Sequence, residues 1–148
     1  MDFVMITDYT DEAFQSAFQM YFEELGITVK DYEGLFQEMN TEQGNQTLVY
    51  KEHGEIIAFL MCRCDELKDW FFRMNTGFVR EFWVKKEYRN KGIGTKLLQK
   101  AEGYFKLQKC VCVLLTTDTA EDFYLKNGYQ KEENIIAKNE DCVFMKQL

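Results

Sequence analysis

The chain has 148 residues, enough for a single domain that buries roughly 70% of its unfolded surface. Hydrophobic residues make up 46% and charged residues 29%, which excludes a disordered chain, and a net charge of −7 argues against general nucleic-acid binding. No apolar run approaches the ~18 residues of a membrane span, and the N-terminus has no basic stretch of a secretory signal, so a cytoplasmic protein with no membrane partner is expected.

Taken in chain order, residues 3–6 read as a short strand. Thr10 or Asp11 is placed to cap a helix that runs to Leu25, because Ala13, Phe14, Ala17, Phe18, Tyr21, Phe22 and Leu25 recur at helical spacing and Gly26 follows. A second helix is expected over residues 31–42, with Tyr32, Leu35, Phe36 and Met39 on one side. Residues 47–51 and 55–63 read as strands joined by a turn at His53-Gly54. His53 is the only histidine, and its charged neighbours make it a solvated turn residue. Residues 65–76 read as an irregular connector whose Trp70, Phe71 and Phe72 are expected in the core or packed against it, with the lining of a substrate pocket as the alternative.

Residues 77–84 form a strand, 92–106 a helix carrying Ile93, Leu97, Leu98, Ala101 and Phe105, and 110–116 a continuous apolar strand buried on both faces. A short helix over 120–126, a turn at Gly128 and a strand pair over 129–137 and 141–146 complete the chain. The strand-helix-strand passage in the middle implies a right-handed crossover between parallel neighbours. The fold class is therefore α/β with a mixed sheet of six to seven strands and flanking helices.

Five cysteines occur and none forms C-x-x-C. The spacing of Cys62/Cys64 and Cys110/Cys112 puts each pair on one strand face, as reduced core thiols with no metal. Charge is unevenly placed. The first 60 residues hold twelve acids against Lys30 and Lys51, whereas residues 78–109 hold nine bases against three acids. One part of the chain suits a cation and another a polyanion.

The basic excess centres on the turn Arg89-Asn90-Lys91-Gly92-Ile93-Gly94. Here a strand feeds a helix whose first N–H groups lack intrahelical partners and, with the helix dipole, favour an anion. Glycines at 92 and 94 allow a phosphate close to the backbone. Lys85, Lys86, Arg89, Lys91 and Lys96 oppose the dipole unless an anion offsets them. A Walker loop is excluded, since Gly94 is followed by Thr95-Lys96 in the wrong order. A dinucleotide fingerprint is excluded too, since Leu97 stands where its third glycine would be.

The pattern R-x-x-G-x-G between an apolar strand and an amphipathic helix resembles the acetyl-CoA-binding motif of the GNAT superfamily of N-acetyltransferases. A second segment, Ala120-Glu121-Asp122-Phe123-Tyr124-Leu125-Lys126-Asn127-Gly128-Tyr129, resembles that superfamily's later motif and lies at the expected distance downstream. The element order matches from end to end, so residues 1–148 are expected to form one N-acetyltransferase domain. Two departures stand out: a proline often found before the motif is absent, and Thr117 occupies the position of a usual asparagine.

The resemblance implies direct transfer of an acetyl group from acetyl-CoA to an amine. It places the pyrophosphate on backbone N–H groups of Arg89, Asn90, Lys91, Gly92, Ile93, Gly94 and Thr95. The pantetheine lies along the strand end at Trp83 and Val84, with the Val84 amide the candidate to polarise the thioester carbonyl and Thr117 a further cofactor contact. Tyr124 matches the tyrosine that protonates the leaving sulfur, and Glu81 a carboxylate that in some members takes the amine's proton or orients it. The acceptor region of such folds includes Tyr21, Glu24 and Tyr32 here, together with Glu23 and Phe36. The acidic first 60 residues then suggest a cationic small molecule or a peptide amine. A homodimer is common in such folds. A non-catalytic acyl-CoA-binding or sensing module and an adaptor domain without ligand remain the alternatives.

Overall fold

The computed structural model describes residues 2–148. Its strands are β1 (Asp2–Ile6), β2 (Asn45–Glu52), β3 (Glu55–Asp69), β4 (Phe72–Val84), β5 (Cys112–Thr117), β6 (Gln130–Lys131) and β7 (Cys142–Gln147). Its α-helices are α1 (Glu12–Leu25), α2 (Tyr32–Thr41), α3 (Ile93–Leu107) and α4 (Glu121–Lys126). One sheet takes the strands in the order β1-β2-β3-β4-β5-β7-β6. β1 runs antiparallel to β2, β7 runs antiparallel to β5 and β6, and β4 and β5 are parallel. A parallel pair cannot be closed by a tight turn, and here α3 lies in the connection. The sheet is mixed, as the strand-helix-strand pattern implied. Among the described residues, no helix is long and apolar enough to cross a membrane.

The chain divides into two compact units. The first comprises the chain to Met61 and Glu81–Leu98, and its core is aromatic. Phe14, Phe18, Phe36 and Phe59 are buried, and ring centroids lie 5.5 Å apart for Phe14–Phe59 and 5.7 Å for Phe18–Phe36. Edge-on and offset pairs of this kind add about 0.5–1.5 kcal/mol each beyond the area they bury. The helices that carry them start on aspartates: Asp11 accepts from the Phe14 amide at 2.9 Å and Asp31 from that of Gly34 at 3.0 Å. Gly26 ends α1 in the left-handed conformation, with its own amide and that of Ile27 closing back on Glu23 and Phe22.

The second unit comprises Cys62–Arg80 and Gln99–Leu148. Ala101 and Phe105 of α3 are buried in it, as are Val113 and Leu115 of β5 and Phe144 of β7. A Cβ on Gly77 of β4 would sit 2.6–2.8 Å from the Phe105 ring, so only glycine lets that ring seat itself. All five cysteines are free thiols. Burial pushes Cys62 and Cys64 up to about 12, so both keep their protons at neutral pH.

Two expectations are corrected. Residues 65–76 are not an irregular connector: β3 runs on to Asp69 and β4 begins at Phe72, leaving Trp70-Phe71 as a two-residue turn. Its aromatics are not core, with Trp70 90%, Phe71 92% and Phe72 75% exposed. Strand propensity in Phe72 and Thr76 prevailed over the connector reading, and the ribbon's own residues offer the aromatics nothing to bury against. The strand expected over 129–137 shrinks to Gln130–Lys131, because Glu132 turns back to accept from the Asn134 amide at 3.0 Å. His53 is an exposed turn residue with φ 53°, as anticipated.

Candidate active site

In the first unit the site grows from the end of β4. Trp83 is buried and Val84 half-buried, and a single 3-10 turn at Lys86–Tyr88 follows. Asn90 and Gly92 then take the left-handed conformation at φ 62° and 82°. Asparagine and glycine are the residues that tolerate it, and such alternation turns successive amides toward one concavity. Nothing lies within 4 Å of the point where a Gly92 Cβ would be.

Helix α3 makes its first backbone bond from the Lys96 amide to Gly92 O at 3.1 Å, so the amides of Ile93, Gly94 and Thr95 precede the ladder. Glycine at the cap position has no side chain to satisfy them. The first turn of α3 holds no acid, whereas those of α1, α2 and α4 hold Glu12, Glu33, and Glu121 with Asp122. Among the described residues the dipole of every other α-helix start is thus complemented and this one is left positive.

Arg89 is held rather than free. Its Nε donates to Val84 O at 2.8 Å and its terminal Nη2 pairs with Glu24. The second oxygen of Glu24 accepts from the Trp83 indole at 2.9 Å. Burial works to raise the Glu24 carboxyl, but the hydrogen bonds from Trp83 and Arg89 and the nearby positive charge outweigh it and hold it below its ordinary value. Glu24 therefore fastens α1 to the strand end and the motif turn. Lys91 lies 5.5 Å from the Tyr88 ring centroid.

Beside this lies a second carboxylate contact. The Tyr21 hydroxyl donates to Glu81 Oε2, joining α1 to β4. Tyr21 is fixed by an edge-on contact with Phe59 at 5.5 Å and by the rings of Phe18 and Phe22. Tyr32 stacks on Phe36 at 5.9 Å within α2. Phe36 itself is buried in the core.

In the second unit, Thr117 accepts from the Ala120 amide at 2.9 Å and so shapes the entry to α4. Tyr124 sits on α4, with its ring 5.7 Å from that of Tyr129 and 6.4 Å from that of Phe144. Burial pushes its phenol up to about 12, so it carries a proton throughout the neutral range.

The sequence named Tyr21, Glu24, Glu81, Trp83 and Arg89 singly, and the structure joins them in pairs. A buried network went unnoticed altogether. Glu102 accepts from the Tyr129 hydroxyl at 2.8 Å and from Lys146 Nζ at 3.1 and 3.2 Å, and Lys146 also donates to Asn127 O at 3.0 Å. Asn127 closes the helix that bears Tyr124. The available signal was an acid at position 102, four residues after Leu98 and three before Phe105, within the apolar stripe of α3.

Comparison with known proteins follows this geometry. The family model described as an acetyltransferase (GNAT) domain matches residues 43–131. An acetyltransferase of the GNAT family from Staphylococcus aureus superposes with a TM-score of 0.72 at 21% identity, covering 99% of both chains. A predicted acetyltransferase with acetyl-CoA from Clostridium acetobutylicum gives 0.75 at 16% identity, over 92% of this chain and 94% of its own. The PaiA N-acetyltransferase from Thermoplasma acidophilum, in complex with coenzyme A, gives 0.66 at 19% identity over the whole of both chains. At such identities the likeness carries the fold. No curated protein sequence matches.

Proposed function

The chain belongs to the GNAT acetyltransferase family, and from that premise we propose that it moves the acetyl group of acetyl-CoA directly onto a primary amine, in a ternary complex, as one N-acetyltransferase domain over residues 1–148. The observation that carries the cosubstrate site is the start of α3. Among the described residues it is the one α-helix start without an acid in its first turn, reached through left-handed Asn90 and Gly92 with open space at the glycine. These residues fit a pyrophosphate, which would lie on the amides from Arg89 to Thr95, with Trp83 and Val84 along the pantetheine and Thr117 a further contact. Bound acetyl-CoA supplies an activated acyl carbonyl and a thiol leaving group.

The protein's own groups then have separate tasks. Glu24 holds Arg89 and Trp83, which keeps the turn and the strand end in register. The Val84 amide is the donor toward the acyl oxygen. Glu81, oriented by Tyr21, accepts a proton from an ammonium so that the amine can attack. Tyr124 keeps a proton at its phenol oxygen for the departing sulfur. The acceptor we favour is a cationic small molecule or a peptide amine, on the strength of the twelve acids in the first 60 residues.

The test is stabilisation by coenzyme A in a thermal-shift titration, followed by free-thiol release from acetyl-CoA across a panel of polyamines, aminoglycosides and peptide N-termini. Thiol release with at least one amine is expected. Stabilisation without turnover across the panel would indicate a sensing module instead, and no binding at all would overturn the site.

A further inference from the structure

Helix α4 is six residues long, well short of the ~12–15 that hold a helix together by themselves in water. Contacts at its two ends therefore set its place. Ala120 stands at the N-cap and has no side chain to cap with, and its own amide goes to the Thr117 hydroxyl at 2.9 Å. The C-terminal end is held more fully. Tyr124 O accepts from the amides of Asn127 and Tyr129, both at 3.0 Å, and Phe123 O accepts from Asn127 Nδ2 at 2.8 Å. Asn127 O accepts from Lys146 Nζ at 3.0 Å, so an ammonium from β7 sits where the helix dipole is negative.

The same ammonium reaches both oxygens of Glu102 on α3. It lies 5.6 Å from the Tyr129 ring centroid, and its stem crosses Gly128, whose φ of 89° carries the chain out of the helix. Tyr129 is buried and donates its hydroxyl to Glu102 at 2.8 Å. Tyr129 is thus pinned at its amide and at its hydroxyl, and its ring meets that of Tyr124 edge-on at 5.7 Å. A buried ion pair is often no more stable than apolar residues of the same volume, so stability alone does not call for this one. Its hydrogen bonds have fixed directions, and they converge on the residues around Tyr124.

We propose that Lys146 and Glu102 are positioning residues for Tyr124: through Asn127 O, the Tyr129 amide and the Tyr129 ring, they fix where the Tyr124 hydroxyl points. The inference rests on Tyr124 as the proton donor to the departing sulfur. A proton donor must stand within about 2.6–3.2 Å of the atom it serves, and a displacement of about 1 Å caused far from the chemistry can cost ~100-fold in rate. Lys146 and Glu102 act through Tyr124, so losing them slows transfer and leaves acetyl-CoA affinity nearly unchanged.

Lys146→Met should lower kcat for thiol release about tenfold, with the KM for acetyl-CoA within about twofold of wild type, at a temperature where circular dichroism shows the variant folded. Glu102→Gln keeps an acceptor for the Tyr129 hydroxyl and should lower kcat less, which carries the test if Lys146→Met does not fold. In a Tyr124→Phe background, Lys146→Met should change kcat by less than about twofold, because the group it positions is gone. An equal loss in both backgrounds would make the pair merely structural and overturn the proposal. A second measurement needs no acceptor amine. With carbon-13 at the tyrosine Cζ, the resonance that Tyr124→Phe removes belongs to Tyr124, and it should shift or broaden in Lys146→Met and in Glu102→Gln. A Tyr124 resonance unmoved by either variant would overturn the proposal whatever the turnover. Wild-type turnover in Tyr124→Phe would instead remove Tyr124 as the proton donor, and the resonance would still decide whether Lys146 and Glu102 hold it in place.

Discussion

Lys146→Met separates a working buried ion pair from a decorative one. Lys146 Nζ spends its donors on both Glu102 oxygens and on Asn127 O, while its stem lies over Gly128, where an added Cβ would be 3.3 Å from Lys146 Cε. Methionine keeps the stem and removes the charge. Glu102, its side chain 10% exposed, is then left with the Tyr129 hydroxyl alone. Removing one partner of a fully buried pair costs about 3–5 kcal/mol. Lys146 is 30% exposed, so water recovers part of that and about 2–3 kcal/mol remains. For a chain of 148 residues this lowers the melting temperature by about 5–10 °C. Calorimetry or circular dichroism at neutral pH measures it directly. Adding Glu102→Gln should return part of the loss, because the orphaned charge goes with it. A drop below about 2 °C for Lys146→Met, or a double variant worse than the sum of the singles, would refute the reasoning.

Gly92→Glu should abolish acetyl-CoA binding in a thermal-shift titration, since it sets a carboxylate at a left-handed position where the phosphates are proposed to lie; unchanged affinity would remove that site. Tyr124→Phe should lower turnover by about 100-fold with a smaller change in acetyl-CoA affinity, and wild-type turnover would end its role as the proton donor. Glu81→Gln should flatten the rise of rate with pH, and an unaltered profile would argue that Glu81 only orients the acceptor. Stability should fall in alkali. Tyr124 moves from 10.0 in the open chain to about 12 in the fold, and Cys62 and Cys64 move from 9.0 to about 12. Between those values the folded chain holds protons the unfolded chain has lost, so this contribution is complete below pH 9 and is lost as pH rises toward 12. Urea midpoints at about pH 8 and 10.5 should show the fall, and a flat midpoint would contradict it.

Helix boundaries were legible because their signals are local. Asp11, Gly26 and Asp31 act on amides and carbonyls within a few residues of themselves, so their chemistry reads the same in sequence and in structure. The turn that opens α3 was legible for the same reason, as its bases and its glycines at 92 and 94 lie within a few residues of one another. The arm at residues 65–76 was not. Three aromatics in a row normally report burial, and whether anything covers them depends on where other elements stop. β5 stops at the level of Thr76.

The sequence by itself determined the family, the mixed α/β order and the glycine turn that opens α3, because each rests on spacing and backbone preference along neighbouring residues. Tertiary structure decided what each acid does. Glu24, Glu81 and Glu102 are alike as residues, yet one ties Arg89 to Trp83, one receives Tyr21 and one is buried against Lys146 and Tyr129. Those partners lie 65, 59, 60, 44 and 27 residues away in the chain. A carboxylate's role is set by the charges and donors brought within hydrogen-bonding distance of it, and at such separations only folding brings them there.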